Sequence, residues 1–337
     1  MILPFPKKTM PLIKKNKYFN PYSIKSNRKL YHYALWQLGY YKDKKRSKPI
    51  PKNFVYPKPT KERKKTPYSA SWINHSSFLL NIDSIIILTD PIWSQRCSPV
   101  GFIGPKRLHR PAITLSQISR VDMVFISHNH YDHLDSYSVT ELHKSFPKII
   151  WVVPTGVASW FHKRGIKNTV ELSWWDSKNF HFSERATTIE ITAVPAQHFS
   201  GRSLFDDNKT LWCGFVATIF RNKKLEKRFY FVGDTGYNKT IFQEIGDHFS
   251  SIHLSLIPIG AYLPKRFMNP VHIDPEQAVT IHNQVHSSLS IGMHWYTFRL
   301  SEEKRMQPAY DLWLAMKKAS LDPLTFRALL PGDTVHW

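Results

Sequence analysis

Residues 121–135 read Val-Asp-Met-Val-Phe-Ile-Ser-His-Asn-His-Tyr-Asp-His-Leu-Asp, an apolar run that stops at four potential metal ligands: His128, His130, Asp132 and His133. On an extended backbone, side chains at i and i+2 leave the same face, so His128 and His130 can address one ion just past the strand end. Asp132 and His133 follow where the chain turns toward a helix starting near Ser136, and they can face a second ion beside the first. Imidazole and carboxylate suit zinc and its borderline neighbours, with manganese, iron and nickel harder to exclude. The plain alternative is a solvated loop in which histidines cluster by chance. Against it, H-x-H-x-D-H directly after a Val/Ile/Phe run already has the strand–turn–helix setting that gives such a motif meaning.

The motif resembles that of the metallo-β-lactamase superfamily, which requires further ligands downstream. His198 in Val-Pro-Ala-Gln-His, Asp234 in Phe-Val-Gly-Asp-Thr-Gly-Tyr and His294 in Ile-Gly-Met-His-Trp each end an apolar, strand-like run. Sorted onto a two-metal site, His128, His130 and His198 hold one ion, Asp132, His133 and His294 the other, and Asp234 bridges them. Two ions roughly 3.5–4 Å apart lower the pKa of a shared water and stabilise the entering and leaving oxygens of an in-line displacement. A metal-bridging hydroxide is then the expected nucleophile, with no Ser or Cys required. Ligating histidines must be neutral, so activity is expected to fail in acid.

His75, in Trp-Ile-Asn-His-Ser-Ser, can orient a ligand from outside the metal shell or make a structural hydrogen bond. His272, just ahead of a helix at Asp274, can polarise a substrate oxygen or protonate a leaving group, or it can be a capping-region residue without chemistry. Asp90, before Pro91, reads either as a partner of a ligand or as a turn residue. The remaining histidines, His109 among them, lack a strand-end setting and read as surface or packed residues.

Charge is unevenly spread. Residues 1–67 hold 19 Lys and Arg against Asp43 and Glu62, a net +17 of the chain's +22, so residues 68–337 are only mildly basic. This first segment alternates basic residues with Pro and aromatics and shows no sustained period, so it is expected to be partly disordered. One short helix is expected at about 27–39, with Asn27 as cap and Gly39 as stop. It can lie in a membrane interface or dock on the catalytic body, and both readings stay open. A nucleic-acid role for the segment is a third reading, with no recognised nucleic-acid module beside it. Cys97 and Cys213, far apart, give no disulfide framework, and the N-terminus lacks the order of a signal peptide. No apolar run is long enough to span a bilayer. The expected location is cytoplasmic, peripherally associated with a membrane.

From Tyr68 the pattern becomes that of a catalytic domain running to residue 337. Short strands at 71–74, 78–81 and 85–89 lead to the motif. A helix at 136–145, a strand at 149–153, a helix at 156–164 and a strand at 169–172 follow, a βαβαβ order that suits a sheet with helices on its outer face. Further strands are expected at 187–194, 212–220, 228–232, 252–257 and 290–293. A helix is expected to open at Asp274-Pro275, with Asp274 as cap, and an amphipathic helix to follow Pro308.

The resemblance then narrows. Trp72-Ile73-Asn74-His75, Leu88-Thr89-Asp90-Pro91, Gly104-Pro105-Lys106-Arg107, Ser127 through Asp135, Asp206-Asp207-Asn208-Lys209, Gly233-Asp234-Thr235-Gly236-Tyr237, Ile257-Pro258-Ile259-Gly260-Ala261-Tyr262 and Met293-His294-Trp295 occur in this order. Together they resemble the N-acyl-phosphatidylethanolamine-hydrolysing phospholipase D family and its bacterial relatives, over about residues 68–300. The resemblance implies an α/β fold, the four-layer αββα sandwich of metallo-β-lactamase type, with two Zn2+ ions held by the seven residues above; Mn2+ or Fe2+ are the alternatives. It also implies hydrolysis of an N-acyl-phosphatidylethanolamine-like lipid to an N-acylethanolamine and phosphatidic acid. The catalytic residues expected are Asp132, Asp234 and His272, the last matching the family's substrate-side histidine. The chain departs from the family pattern at Asn74 and Ser76 around His75, at Val271 before His272, at Leu263 after Tyr262, and at Tyr296, where the family carries Gly. The partners expected are a phospholipid substrate and an anionic membrane surface, with the oligomeric state open and a homodimer among the options. A nuclease or a lactonase on the same scaffold is the alternative function, and a non-enzymatic lipid- or nucleic-acid-binding protein is a third.

Overall fold

Along the strands of the first sheet successive apolar side chains point to opposite faces, so the sheet must be covered on both. In β6 below, Met123 and Phe125 enter one buried cluster, while Val124 and, just beyond, Ile126 enter another. That alternation is the origin of the layered architecture. The computed structural model describes residues 8–22, 40, 48–60, 66–183, 186–203 and 205–337.

A hairpin of β1 (Leu12–Lys14) and β2 (Lys17–Phe19) precedes the body. The first sheet contains β3 (Tyr68–Asn74), β4 (Ser77–Ile82), β5 (Ile85–Thr89), β6 (Met123–Phe125), β7 (Ile150–Pro154) and β8 (Thr169–Leu172). Between the parallel strands β6, β7 and β8 run α1 (Ser136–Ser145) and α2 (Ala158–His162). The second sheet contains β9 (Ser177–Phe182), β10 (Thr187–Val194), β11 (Gly214–Arg221), β12 (Lys224–Phe231), β13 (Leu254–Pro258), β14 (Ser290–Met293) and β15 (Phe326–Arg327). Its connections supply α3 (Lys239–Phe249), α4 (Lys265–Met268), α5 (Pro275–Gln284) and α6 (Gln307–Lys318). The chain then returns to the first sheet as β16 (Thr334–His336), paired with β3. Both sheets have seven strands, in the orders β16-β3-β4-β5-β6-β7-β8 and β15-β14-β13-β12-β11-β10-β9. This is the α/β sandwich expected.

Strand direction decides where the functional side chains emerge. The antiparallel pairs β3·β4 and β4·β5, followed by parallel β5·β6, make β3, β5 and β6 point the same way. In the second sheet β10, β12, β13 and β14 likewise share one direction. The loops after β3, β5 and β6, and those after β10, β12 and β14, therefore leave each sheet at one end. These are the loops that carry His75, Asp90, His128, His198, Asp234 and His294.

Local signals explain the helix starts near this end. The side chain of Asp135 accepts the Ser138 amide at the start of α1. The Asp274 carboxylate accepts the Gln277 amide while Gln277 Oε1 accepts the Asp274 amide, with Pro275 in the first turn, a reciprocal cap that satisfies two otherwise orphan donors. The helix expected at 156–164 is shorter, at Ala158–His162. Strand β9, mostly exposed, is an addition that only Phe180 and Phe182, partly buried against the core, announce. The helix expected at 27–39 lies outside the described residues.

The described parts of the N-terminal segment are seated on the body. The Thr9 amide and hydroxyl donate to the Glu244 carboxylate at 2.9 and 2.8 Å, and the Thr9 carbonyl accepts the Trp175 indole at 2.9 Å. Phe54 packs edge-on to Tyr310 at 4.9 Å, and the Tyr56 hydroxyl reaches the Phe326 carbonyl.

Phe125 packs against Phe215 at 5.2 Å and Phe229 at 6.0 Å, tying the first sheet to the second three positions before His128. Phe125→Ala is expected to lower unfolding free energy by about 3–5 kcal/mol, the range for emptying a buried aromatic site. Urea denaturation followed by tryptophan fluorescence checks this; a change below about 1 kcal/mol would mean that the contact does not hold the sheets together.

Candidate metal centre

The ligand atoms of His128, His130 and His198 lie within 4.8 Å of one another, and so do those of His75, Asp132, His133 and His294. Within the first group His128 Nε2 is 2.8 Å and His198 Nε2 3.3 Å from His130 Nδ1. Within the second, Asp132 Oδ2 lies 3.3 Å from His133 Nε2 and 3.3 Å from His294 Nε2. Asp234 Oδ2 stands between the groups, 3.2 Å from His133 Nε2 and 3.0 Å from His294 Nε2 on one side, and 3.8 Å from His198 Nε2 and 4.0 Å from His128 Nε2 on the other. All seven residues sorted from the sequence are thus brought together, with His75 added to the second group and Asp234 also grouped with His198 and His272. His272 joins at the rim, its Nδ1 3.9 Å from Asp234 Oδ2.

Each donor is held by its own support. Gly233 places Asp234: its φ is +68°, and a Cβ there would lie 2.8 Å from Ser127 Cβ, so glycine is the residue this turn accepts. His198 Nδ1 lies 2.9 Å from the Val271 carbonyl, which fixes a proton there and leaves Nε2 to face the site. Asp90 accepts the Ser127 amide at 2.7 Å and hydroxyl at 2.5 Å and lies 2.6 Å from His133 Nδ1. Of the two readings of Asp90, the partner of a ligand is the one the geometry matches, and carboxylate–imidazole pairs of this kind orient a ring and raise its basicity. His75 Nε2 is 3.0 Å from Asp132 Oδ2, so its partner is that carboxylate.

Other supports carry no sequence signal of their own. The Thr297 hydroxyl receives the His75 amide at 2.7 Å. Arg202 donates to the Asn129 and Leu134 carbonyls at 2.8 and 2.7 Å, and its guanidinium covers the Tyr131 ring at 4.0 Å. The arginine therefore clamps both ends of the motif loop from a segment some seventy residues away. Backbone strain is concentrated here as well: His75, Asp90 and His294 have φ of +44°, +31° and +60°. Conformations of this kind cost on the order of 1–3 kcal/mol each and persist where surrounding structure enforces them. Tyr296, where the resemblance expects Gly, has φ +67°.

The residues fit a metal. Asp234 Oδ1 is buried without a hydrogen-bond partner among the described residues, an arrangement that a cation would satisfy. The titration behaviour is split. Burial pushes His75 down to about 3 and His130 to about 4, and burial with neighbouring imidazoles holds His128 and His198 well below the ordinary histidine value. For His294 burial acts downward too, but Asp234 and Asp132 outweigh it and lift the ring to about 9. His133, against burial, is raised well above its ordinary value by Asp234, Asp132 and Asp90. Asp132 and Asp234 fall well below the usual carboxylate range because adjacent imidazoles overcome the upward effect of burial. The site therefore offers neutral nitrogens on one side and carboxylates on the other, with two protons to be displaced.

Comparison with known proteins follows this geometry. The sequence pattern described as "Beta-lactamase superfamily domain" matches residues 86–295. A Caenorhabditis elegans protein named N-acyl-phosphatidylethanolamine-hydrolyzing phospholipase D 1 is 41% identical over 234 residues, 68% of this chain and 64% of that protein. A Saccharomyces cerevisiae protein named N-acyl-phosphatidylethanolamine-hydrolyzing phospholipase D, mitochondrial, is 35% identical over 252 residues, 74% of this chain and 52% of that protein. The match thus spans less than two thirds of the nematode relative and about half of the yeast one. The crystal structure of a possible metal-dependent hydrolase from Veillonella parvula superposes with a TM-score of 0.61 at 15% identity, over 80% of this chain and 99% of that one.

Zinc titrated into metal-free protein at pH 7.5 is expected to release about two protons, from His133 and His294, because a ligating imidazole must be neutral. Calorimetry in buffers of different ionisation enthalpy measures the number. As pH falls toward 5, His130 and its neighbours stay neutral while competition at His133 and His294 grows, so affinity is expected to drop. Binding without proton release would contradict this.

Proposed function

Because the chain belongs to the β-lactamase superfamily, we propose that it is a metal-dependent phosphodiesterase of phospholipase D type, hydrolysing N-acyl-phosphatidylethanolamine-like lipids to an N-acylethanolamine and phosphatidic acid. The observation that carries the reading is the position of Asp234 Oδ2, within 4.0 Å of imidazole nitrogens from both ligand groups. Identity of 41% to a relative with that name supports the substrate class. His128, His130 and His198 would hold one cation and Asp132, His133 and His294 the second, with Asp234 shared and zinc the preferred ion for this nitrogen-rich set. When bound, such a pair supplies a Lewis acid for phosphoryl oxygens and an acidified water.

The chain's own residues do the rest. Asp90 holds His133, and the Val271 carbonyl holds His198, so both rings present Nε2 without rotating. His75 keeps Asp132 oriented through the 3.0 Å contact. His272 sits at the partly exposed edge, its ring centroid 5.2 Å from those of His198 and His294. From there it would donate a proton to the alkoxide leaving oxygen of the ethanolamine half. An amide-bearing alkoxide needs that proton, whereas p-nitrophenolate does not.

No helix among the described residues is long and apolar enough to cross a membrane. We place the enzyme at a membrane surface through the basic first segment: each Lys or Arg near anionic lipid contributes about 1 kcal/mol, and residues 1–67 carry a net +17.

The test uses the zinc-loaded full chain and vesicles containing phosphatidylserine and N-acyl-phosphatidylethanolamine, with products read by mass spectrometry. N-acylethanolamine and phosphatidic acid are expected in equal amounts, more slowly as salt screens the surface. His272→Ala is expected to reduce lipid turnover by about 10²–10⁴-fold, the usual worth of a positioned acid, while sparing bis(p-nitrophenyl) phosphate and bound zinc. Intact lipid alongside cleaved RNA or an opened lactone would reject the substrate; equal loss on both phosphodiesters would reject the proton-donor role.

A further inference from the structure

Strand β2 and Asn20 just beyond it lie outside the region that matches the superfamily pattern, residues 86–295, yet they run along the loop that carries His198. The Tyr18 amide donates to the Asn208 carbonyl at 2.9 Å, and the Tyr18 side chain packs against the main core. Asn20 Nδ2 donates to the His198 carbonyl at 2.7 Å. Lys17 adds an ion pair with Asp207 at 3.6 Å, exposed on both sides and therefore worth little.

Loop 198–209 is closed on itself by the Asp206-Asp207-Asn208-Lys209 stretch. Asp206 Oδ1 accepts the amides of Arg202 and Ser203 at 2.9 and 2.7 Å. Asn208 Oδ1 accepts the Ser200 amide at 3.1 Å, while the Asn208 amide donates to the Ser200 carbonyl at 2.8 Å. Asn208 does this at φ +56°, a left-handed backbone that asparagine tolerates better than most residues. The closed loop then grips the motif: the Gly201 amide donates to Asn129 Oδ1 at 2.8 Å, beside the two carbonyls that the Arg202 guanidinium takes. One bracket thus runs from the N-terminal hairpin through His198 to the segment between His128 and Leu134.

His198 is where the bracket meets the ligand cluster. Its Nδ1 is tied to the Val271 carbonyl at 2.9 Å. The preceding Gln197 is tied to the Asp234 side of the site, its amide donating to the Thr235 hydroxyl at 2.9 Å and its carbonyl accepting the Gly236 amide at 2.7 Å. These contacts fix the ring and the peptide ahead of it; Asn20 fixes the peptide that follows. With all three held, Nε2 faces the site 3.3 Å from His130 Nδ1. Metal–ligand distances are kept to about 0.2 Å, so a small swing of the His198 peptide is felt at the ion.

We propose that Asn20 is a positioning residue of the metal centre, holding His198 in register for the cation it shares with His128 and His130, so that the N-terminal strap is part of that site. The inference rests on the two-cation reading of the cluster and is independent of the lipid assigned to it.

The test titrates zinc and, separately, cobalt into the metal-free full chain in competition with a chromophoric chelator, resolving two stepwise constants. Asn20→Leu, which keeps the bulk and offers no donor, is expected to weaken one constant by about 10–100-fold, the usual effect of removing a group that supports a ligand. The cobalt absorption of that ion alone is expected to change, with the other constant and the urea midpoint of the metal-free protein as in wild type. Asn20→Ala is expected to move the same constant in the same direction. In a His130→Ala background, where the first ion has already lost a ligand, adding Asn20→Leu is expected to leave the surviving constant unchanged, since residues acting on one ion are not additive. Unchanged constants, or an effect of the leucine without the alanine, overturn the proposal. Equal weakening of both ions together with a lower urea midpoint also overturns it, by making the contact merely structural. Fewer than two zinc ions on wild type would instead reject the two-cation reading, and the proposal with it.

Discussion

One buried carboxylate oxygen organises this molecule. Asp234 Oδ2 lies among the nitrogens of His128, His133, His198 and His294, in a place where neither an isolated carboxylate nor an isolated imidazolium is tolerated. Its presence there depends on both sheets. The strand before it, β12, belongs to the second sheet, and the histidines it faces come from β6 of the first and from β10 and β14 of the second. The sandwich brings together loops from two sheets that no single supersecondary unit could provide. Strained backbones at His75, Asp90 and His294 surround it, so part of the folding free energy released by the packed layers is spent on holding donors in place.

Much of this was legible because the signal was local. The motif from His128 to His133 follows a strand and precedes a capped helix, and α1 runs from Ser136 to Ser145 as its pattern implies. His198, Asp234 and His294 were legible for the same reason: each ends an apolar run, and an apolar run that stops at a polar residue marks where a strand leaves the core. The reading of layers also held, since the alternation around Phe125 reports two buried faces.

What stayed hidden depends on tertiary contact. Arg202 is a lone basic residue in a polar loop, and only the fold brings its guanidinium to the carbonyls of Asn129 and Leu134. Strand β9 has only Phe180 and Phe182 on its core-facing side to declare it, and pairing with β10 makes it a strand. The hairpin of β1 and β2 is too short for a periodicity argument, yet Asn20 beside it donates to the His198 carbonyl at 2.7 Å, so a segment expected to be partly disordered touches a residue of the ligand cluster. Tyr296 was visible as a departure, but only its φ of +67° shows that the backbone there would accept glycine more readily. Fold alone does not choose a substrate, because one scaffold hosts many chemistries; the choice rests on the named side chains and what they face.

The most direct test of the account is anomalous scattering at the zinc edge from crystals of the zinc-loaded chain. The account predicts two peaks about 3.5–4 Å apart, as in paired-metal hydrolases, one against His128, His130 and His198, the other against Asp132, His133 and His294, with Asp234 in contact with both. A single peak, or zinc bound away from Asp234, would contradict it.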